Sequence, residues 1–314
     1  MITAKNYAAQ AEAAIGNFIN SASGHSEFEE DVNNCISLQN DIRNAVHFAM
    51  PDGGKFFDKN VNGIRDQALR LPYPLITVEY NFLEGLNVSK SLIIAKEIKN
   101  DVDAVLLKSC GYMSSGAIAD SEYIILIRNA FYIQSKKVWT LSPLVMVMPN
   151  QWDNMTGIDV SVSPSHSKPF IGMVGGTYKI LPQFFQQLAN EIGEEEAHSR
   201  LKDELACEAV SLLEFLEALS CKNVEQSTHQ KASPKNAQRI KSHKLPIYET
   251  KVLTLKPTVS QVSGAQSLGT HASPRQHLRR GHIRRLESGN IWVNACVVGD
   301  ATKGVINKQY KMAI

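Results

Sequence analysis

The sequence predicts an α+β protein with an N-terminal helical hairpin, a mainly antiparallel sheet, a long helical region and a basic C-terminal β module. Three observations lead there. Apolar residues recur at helical spacing near the N-terminus and again after Pro182. Between these regions lie runs of β-branched and aromatic residues. Turn-like segments without crossover helices join those runs, which favours antiparallel pairing over a doubly wound sheet.

The elements follow in order. Tyr7, Ala11, Ala14, Ile15 and Phe18 share one face of a helix over residues 3–22. A second helix starts at Ser26, with Glu29 three residues on completing a capping box. Phe28, Val32, Cys35, Ile36, Ile42 and Val46 form its apolar stripe, and Pro51-Asp52-Gly53-Gly54 ends it. Residues 75–80, 104–107, 123–133, 138–148 and 170–180 read as strands, and 89–98 reads as either a short helix or a strand. Pro182 suits the first turn of a helix carrying Phe184, Phe185, Leu188 and Ile192. Leu201, Leu205, Val210, Leu212, Leu213, Leu216 and Leu219 continue the pattern. Glu194-Glu195-Glu196 reads as a solvated helix start, where carboxylates suit the dipole.

Residues 222–244 are basic and poor in apolar side chains, so they read as a flexible linker or an arm that orders on binding. A strand at 251–256 and a mobile loop at 257–270 follow. The stretch 291–298 is nearly all apolar and reads as a strand buried on both faces. The chain thus divides into an acidic α+β body (1–224), a basic linker (225–250) and a basic C-terminal β module (251–314) that stands alone or completes the body's sheet.

With 43% hydrophobic and 20% charged residues the composition is that of a soluble globular protein. No apolar run is long enough to cross a bilayer, and the first segment does not read as a signal peptide. A cytoplasmic protein is expected. Cys35, Cys110, Cys207, Cys221 and Cys296 form no C-x-x-C pair and read as buried free thiols, with no zinc site and no cofactor expected. The net charge of +2 hides a polarity. From Glu225 onward there are 15 Lys and Arg against 4 Asp and Glu, and before it 18 against 27. A basic tail on an acidic body suggests either an anionic partner or docking of the tail on its own body.

The strongest chemical signal is the run His277-Leu278-Arg279-Arg280-Gly281-His282-Ile283-Arg284-Arg285. As one strand, it puts arginines on both faces and leaves neither face apolar, a conflict that a kink or bulge at Gly281 relieves. Three readings stand side by side. Arg279, Arg280, Arg284 and Arg285 hold phosphate oxygens of a nucleic acid, with His277, His282 and Trp292 stacking or hydrogen-bonding. Alternatively the arginines pair with body carboxylates as a structural clamp. In the third, His277 or His282 serves a metal-independent ribonuclease, although their five-residue offset sets them on opposite faces of a strand. Gly175-Gly176 lacks the lysine of a phosphate-binding loop, Ser165-His166-Ser167 has no acid partner in view, and no nucleophile-elbow, zinc-protease or kinase set is present. This weighs against an enzyme.

The run from His277 to His282, with Trp292 in an apolar stretch ending Val297-Val298, resembles the C-terminal signature of a group of phage and prophage proteins that includes a type V-A anti-CRISPR. Leu71-Pro72-Tyr73-Pro74 with Glu79, Cys221-Lys222-Asn223-Val224 and the stretch from Arg239 to Lys244 are similar to that group as well. Ile283 stands where the anti-CRISPR has an aromatic. The resemblance implies phage origin, action in the bacterial cytoplasm, and association with a host protein or nascent peptide and with RNA or the ribosome. That anti-CRISPR lowers production of its target nuclease by acting during synthesis, at the nascent chain and its mRNA.

Overall fold

The structure, a computed structural model, describes residues 5–56, 70–84, 87–99, 122–149, 176–256, 275–279, 282–293, 296–298 and 300–305. The α+β class and the N-terminal helical hairpin are as the sequence predicts. Helices α1 (Tyr7–Ala22) and α2 (Glu29–Asn44) form the hairpin. Strands β1 (Val46–Ala49), β2 (Leu75–Glu84), β3 (Asn87–Lys99), β4 (Tyr123–Ile133), β5 (Val138–Leu141), β6 (Leu144–Pro149) and β7 (Gly176–Lys179) follow. Next come α3 (Pro182–Ile192), α4 (Glu194–Leu219), β8 (Val224–Gln230), the short helix α5 (Asn236–Lys241) and β9 (Thr250–Leu255).

Among the described residues these strands make a nine-stranded sheet of order β7-β6-β4-β3-β2-β1-β9-β8, with β5 also paired to β4. Most pairs are antiparallel; β1 runs parallel to both β2 and β9. Successive side chains on a strand point to opposite faces. Leu92 and Ile94 of β3 therefore pack with Ile15, Cys35, Leu38 and Ile42 of the hairpin. Ile93 and Ala95 pack on the other face with Phe185 of α3 and Leu205, Leu212 and Phe215 of α4. The sheet is thus the middle layer of three.

Buried carboxylates tie these layers together. Glu79 on β2 accepts the backbone N–H groups of Lys5, Asn6 and Tyr7 at 2.6, 3.2 and 2.6 Å, which caps α1 from across the chain. Asp31, fully buried on α2, does the same for α3 through the N–H groups of Gln183 and Phe184 at 3.2 and 3.1 Å. Both satisfy donors that a helix start leaves without intrahelical partners.

Several expectations need correction. The Ser26/Glu29 capping box does not form; Ser26–Phe28 is a 3-10 turn, and neither helix start has a side-chain cap from its own N-cap residue. Val46 does not extend α2, because the helix stops at Asn44 and the chain turns into β1 in the middle of the sheet. Residues 89–98 are strand, within β3. The 138–148 segment is two strands, β5 and β6, parted at Ser142-Pro143. Residues 222–244, read as a flexible linker or an arm that orders on binding, hold β8 and α5. β8 has polar, half-exposed side chains because it pairs on one side only, at the sheet's edge. β9 lies inside the sheet, between β1 and β8. The 104–107 strand, the 257–270 loop and most of the 170–180 strand lie outside the described residues.

Candidate functional site: the basic strands and the α5 segment

The basic run is two strands, not one. β10 (Arg275–Arg279) carries His277 and Arg279, and β11 (His282–Leu286) carries His282, Arg284 and Arg285. Arg280 and Gly281, between them, lie outside the described residues. β10 sits in a three-stranded sheet between β13 (Cys296–Val298) and β14 (Asp300–Val305), with His277 opposite Val298 and Arg279 opposite Cys296. β11 instead forms a hairpin with β12 (Gly289–Val293). His282 lies opposite Val293, Ile283 opposite Trp292, Arg284 opposite Ile291 and Arg285 opposite Asn290. The two histidines therefore belong to different sheets. The predicted 291–298 strand is likewise split between β12 and β13, and Ile291, Trp292 and Val293 are half-buried, not buried on both faces.

The hairpin is fastened to the turn between α4 and β8. The Asn223 side chain donates from Nδ2 to the Trp292 carbonyl at 2.7 Å and accepts the Trp292 N–H on Oδ1 at 2.8 Å. Lys222 N–H donates to the Asn290 carbonyl at 3.0 Å, and Asn290 Nδ2 donates to Ser220 Oγ at 3.3 Å. Gly289 turns the hairpin with φ of 116°, close against Lys222; a Cβ there would lie 2.7 Å from Lys222 Cε. The Trp292 ring meets Phe56 edge-on at 5.6 Å and packs against the main core. Trp292 thus anchors the hairpin, a role the sequence did not indicate. Neighbouring cross-strand pairs point to opposite faces, so the Arg284–Ile291 pair faces away from the Ile283–Trp292 pair. Arg284 is exposed and makes no ion pair among the described residues.

The α5 segment is a second basic feature. Lys231, Lys235, Lys241 and Lys244 are exposed, and Arg239 is half-buried. Asn236 holds the segment in shape: its Oδ1 accepts the Ile247 N–H and its Nδ2 donates to the Ile247 carbonyl, both at 2.9 Å. Arg239 Nε donates to the Leu245 carbonyl at 2.9 Å, and Lys244 N–H donates to the Arg239 carbonyl at 2.8 Å. His243, with φ of 55°, turns the chain between them. The charge of this stretch was legible; its order was not, because Asn236 and Ile247 meet only through the fold.

Elsewhere among the described residues, buried titratable groups sit in hydrogen-bond networks. Glu208 on α4 is buried and accepts hydrogen bonds from Tyr80, from Ser91 Oγ at 2.7 Å and from Asn129 Nδ2 at 3.3 Å. Burial pushes its pKa up, against the effect of those donors. Glu194, Glu195 and Glu196 are exposed, as a solvated helix start requires; Glu194 pairs with Lys179 at 2.7 Å. A cleft of about 610 Å³ beside α2 is lined by Glu27, Glu30, Asp41, Lys96, Arg128 and Gln183, and Asp41 binds Arg128 at 2.6 Å and Lys96 at 3.4 Å. Cys35 and Cys221 are buried free thiols, and Cys207 is a half-buried one. Among the described residues no three His, Cys, Asp or Glu side chains cluster as a metal site would need, and no helix is long and apolar enough to cross a membrane. Comparison with protein-family models, curated proteins and solved structures finds no match.

Proposed function

We propose that this chain is a non-enzymatic phage or prophage accessory protein that counters a bacterial host defence. In this reading it acts in the host cytoplasm, with the acidic body engaging a host protein or nascent peptide. The basic C-terminal strands contact RNA or the translation apparatus. The phage assignment rests on the resemblance carried by the His277 to His282 pattern and Trp292. The phosphate contact rests on one structural observation. Arg284 stands exposed, with no carboxylate partner among the described residues, on the hairpin face turned away from the Trp292 anchor. A guanidinium fork held there on a docked hairpin suits phosphate oxygens.

The test is titration of a labelled single-stranded RNA with the full chain over a series of salt concentrations, followed by fluorescence anisotropy. Binding weakens steeply with salt if phosphates are neutralised. The triple variant Arg279→Ala/Arg280→Ala/Arg284→Ala flattens the dependence by about 2 in log–log slope, at roughly 0.7 per phosphate lost. Salt-independent binding, or an unchanged slope in the variant, rejects this reading. Metal-independent cleavage of the RNA in EDTA, lost in His282→Ala, replaces it with the ribonuclease.

A further inference from the structure

We infer that the segment from Lys231 to Lys244 is a second, preformed platform for a nucleic-acid backbone, built from the α5 turn and distinct from the C-terminal run. It rests on the reading above that the chain binds nucleic acid, and it adds where and how the phosphates are held.

Charge is the first argument. Lys231, Lys235, Arg239, Lys241 and Lys244 lie in a stretch with no Asp or Glu from residue 226 through 248. None of the five makes an ion pair among the described residues. The described arginines of the body are all paired instead. Arg43 pairs with Glu12, Arg70 with Glu97, Arg128 with Asp41 and Arg200 with Glu196, all within 3 Å. Five cations in so short a stretch, with no ion pair among the described residues, repel one another, and an external polyanion removes that cost.

Order is the second argument. A basic arm that folds only on binding loses conformational entropy at that moment. Here the loss has already been met. Asn236 clamps Ile247, Ser233 N–H donates to the Ile247 carbonyl at 3.1 Å, and Asn6 Nδ2 fastens the strap to the body through the Pro246 carbonyl at 2.9 Å. The Arg239 guanidinium is held through Nε by the Leu245 carbonyl, and its terminal nitrogens make no hydrogen bond among the described residues. A fork anchored at Nε, with both terminal nitrogens making no hydrogen bond among the described residues, is arranged for a phosphate.

Shape decides between a nucleic acid and a membrane. Ile240 and Leu245 are exposed at 58% and 37%. α5 has only six residues, too few to lay a continuous apolar face into a bilayer. Two isolated aliphatics flanked by cations fit sugar and base edges beside a phosphate backbone.

The experiment uses the full chain with single-stranded RNA and, separately, duplex DNA, both labelled, across a salt series. The quadruple variant Lys231→Gln/Lys235→Gln/Lys241→Gln/Lys244→Gln tests the platform, and Arg284→Gln tests the C-terminal run. The inference predicts that the quadruple variant flattens the log–log salt slope by about 2 to 3 on single strands, at roughly 0.7 per phosphate. Its melting temperature should match the parent's, and the corresponding Lys→Arg set should restore binding. Comparison of the two nucleic acids assigns the backbone. An unchanged slope in the quadruple variant, with Arg284→Gln flattened, overturns the platform and leaves the C-terminal reading standing. The converse sustains the platform and rejects the run. Absence of binding to both nucleic acids, or binding only to anionic phosphatidylserine vesicles, overturns the inference.

Discussion

Asn223 pairs with the backbone of Trp292 as a neighbouring strand would, giving one hydrogen bond and taking another at 2.7 and 2.8 Å. This one side chain, in the turn between α4 and β8, sets where the C-terminal hairpin sits. Asn223→Ala removes both bonds and leaves a half-buried N–H and carbonyl to find water. The expected cost is about 1 to 3 kcal/mol, confined to the docking of the hairpin. Hydrogen exchange reads it directly. The Trp292 amide should exchange much faster in the variant, while amides of β3 and β4 stay as protected as before. Equal protection at Trp292 would show that Phe56 and the Lys222–Asn290 bond suffice without Asn223.

Glu79 and the start of α1 form a second long-range joint. One carboxylate takes three N–H groups, those of Lys5, Asn6 and Tyr7, and Asn6 itself adopts a left-handed φ of 58°. Glu79→Gln keeps the size but turns an NH₂ toward backbone donors. The expected loss is about 1 to 3 kcal/mol in global stability, with fraying of the first turn of α1. Urea denaturation measures the first, and exchange of the Tyr7 to Gln10 amides the second. A variant as stable as the parent would mean that solvent satisfies those donors equally well.

These two joints also explain what was legible in the sequence. Elements with a repeating local pattern could be read: α1 from Tyr7, Ala11 and Ile15, β4 from its β-branched run, α3 from Pro182 and its phenylalanines. β1 could not, because Val46 also completes the spacing of the α2 stripe; only its parallel pairing with β2 and β9 makes it a strand. β8 is polar after Val224 and shows no alternation, so it resembled a linker until β9 gave it a partner. The Ser26 capping signal was local and went unused, while α3 is capped by Asp31 from 152 residues away. The same limit governs the site. That the run is not one strand was legible from arginines falling on both of its faces. The anchoring of Trp292 by Asn223 and Phe56 has no local signature, since those partners are joined to it only by the fold.

His47 adds an acid-sensitive element to the same core. It is 6% exposed, its Nδ1 lies 2.7 Å from Thr77 Oγ1, and its ring lies 4.6 Å from that of Tyr248, whose hydroxyl donates to Glu12. Burial lowers its pKa from 6.5 to about 4. The unfolded imidazole therefore takes up its proton before the folded one does. Between those values unfolding binds a proton, so stability is fully present above the unfolded pKa and declines as pH falls toward the folded one. The total is about 3 kcal/mol. Denaturation at pH 7.5 and 4.5 should show this loss in the parent and much less of it in His47→Gln. Parallel pH profiles for the two proteins would place the acid sensitivity elsewhere.

Glu208 works in the opposite direction. It is buried on α4, and its carboxyl joins Tyr80, Ser91 and Asn129 in one network across β2, β3 and β4. Its pKa is raised, chiefly by burial, and that of its partner Tyr80 is raised well above the ordinary value by burial and by the Glu208 charge. The folded state thus holds a proton on Glu208 at pH values where the unfolded chain has released it. Unfolding releases that proton, so this group's contribution is full below the unfolded pKa and is lost as pH rises through the folded one. Glu208→Gln mimics the protonated carboxyl and keeps an acceptor for the Tyr80 hydroxyl. Relative to the parent it should gain stability as pH goes from 4.5 to 8. Glu208→Ala instead strands three donors in the core and should cost about 3 kcal/mol or more at every pH. Urea titrations of the three proteins at the two pH values measure both effects. A Gln variant that loses ground with rising pH would show that the network holds Glu208 ionised, its three donors outweighing burial.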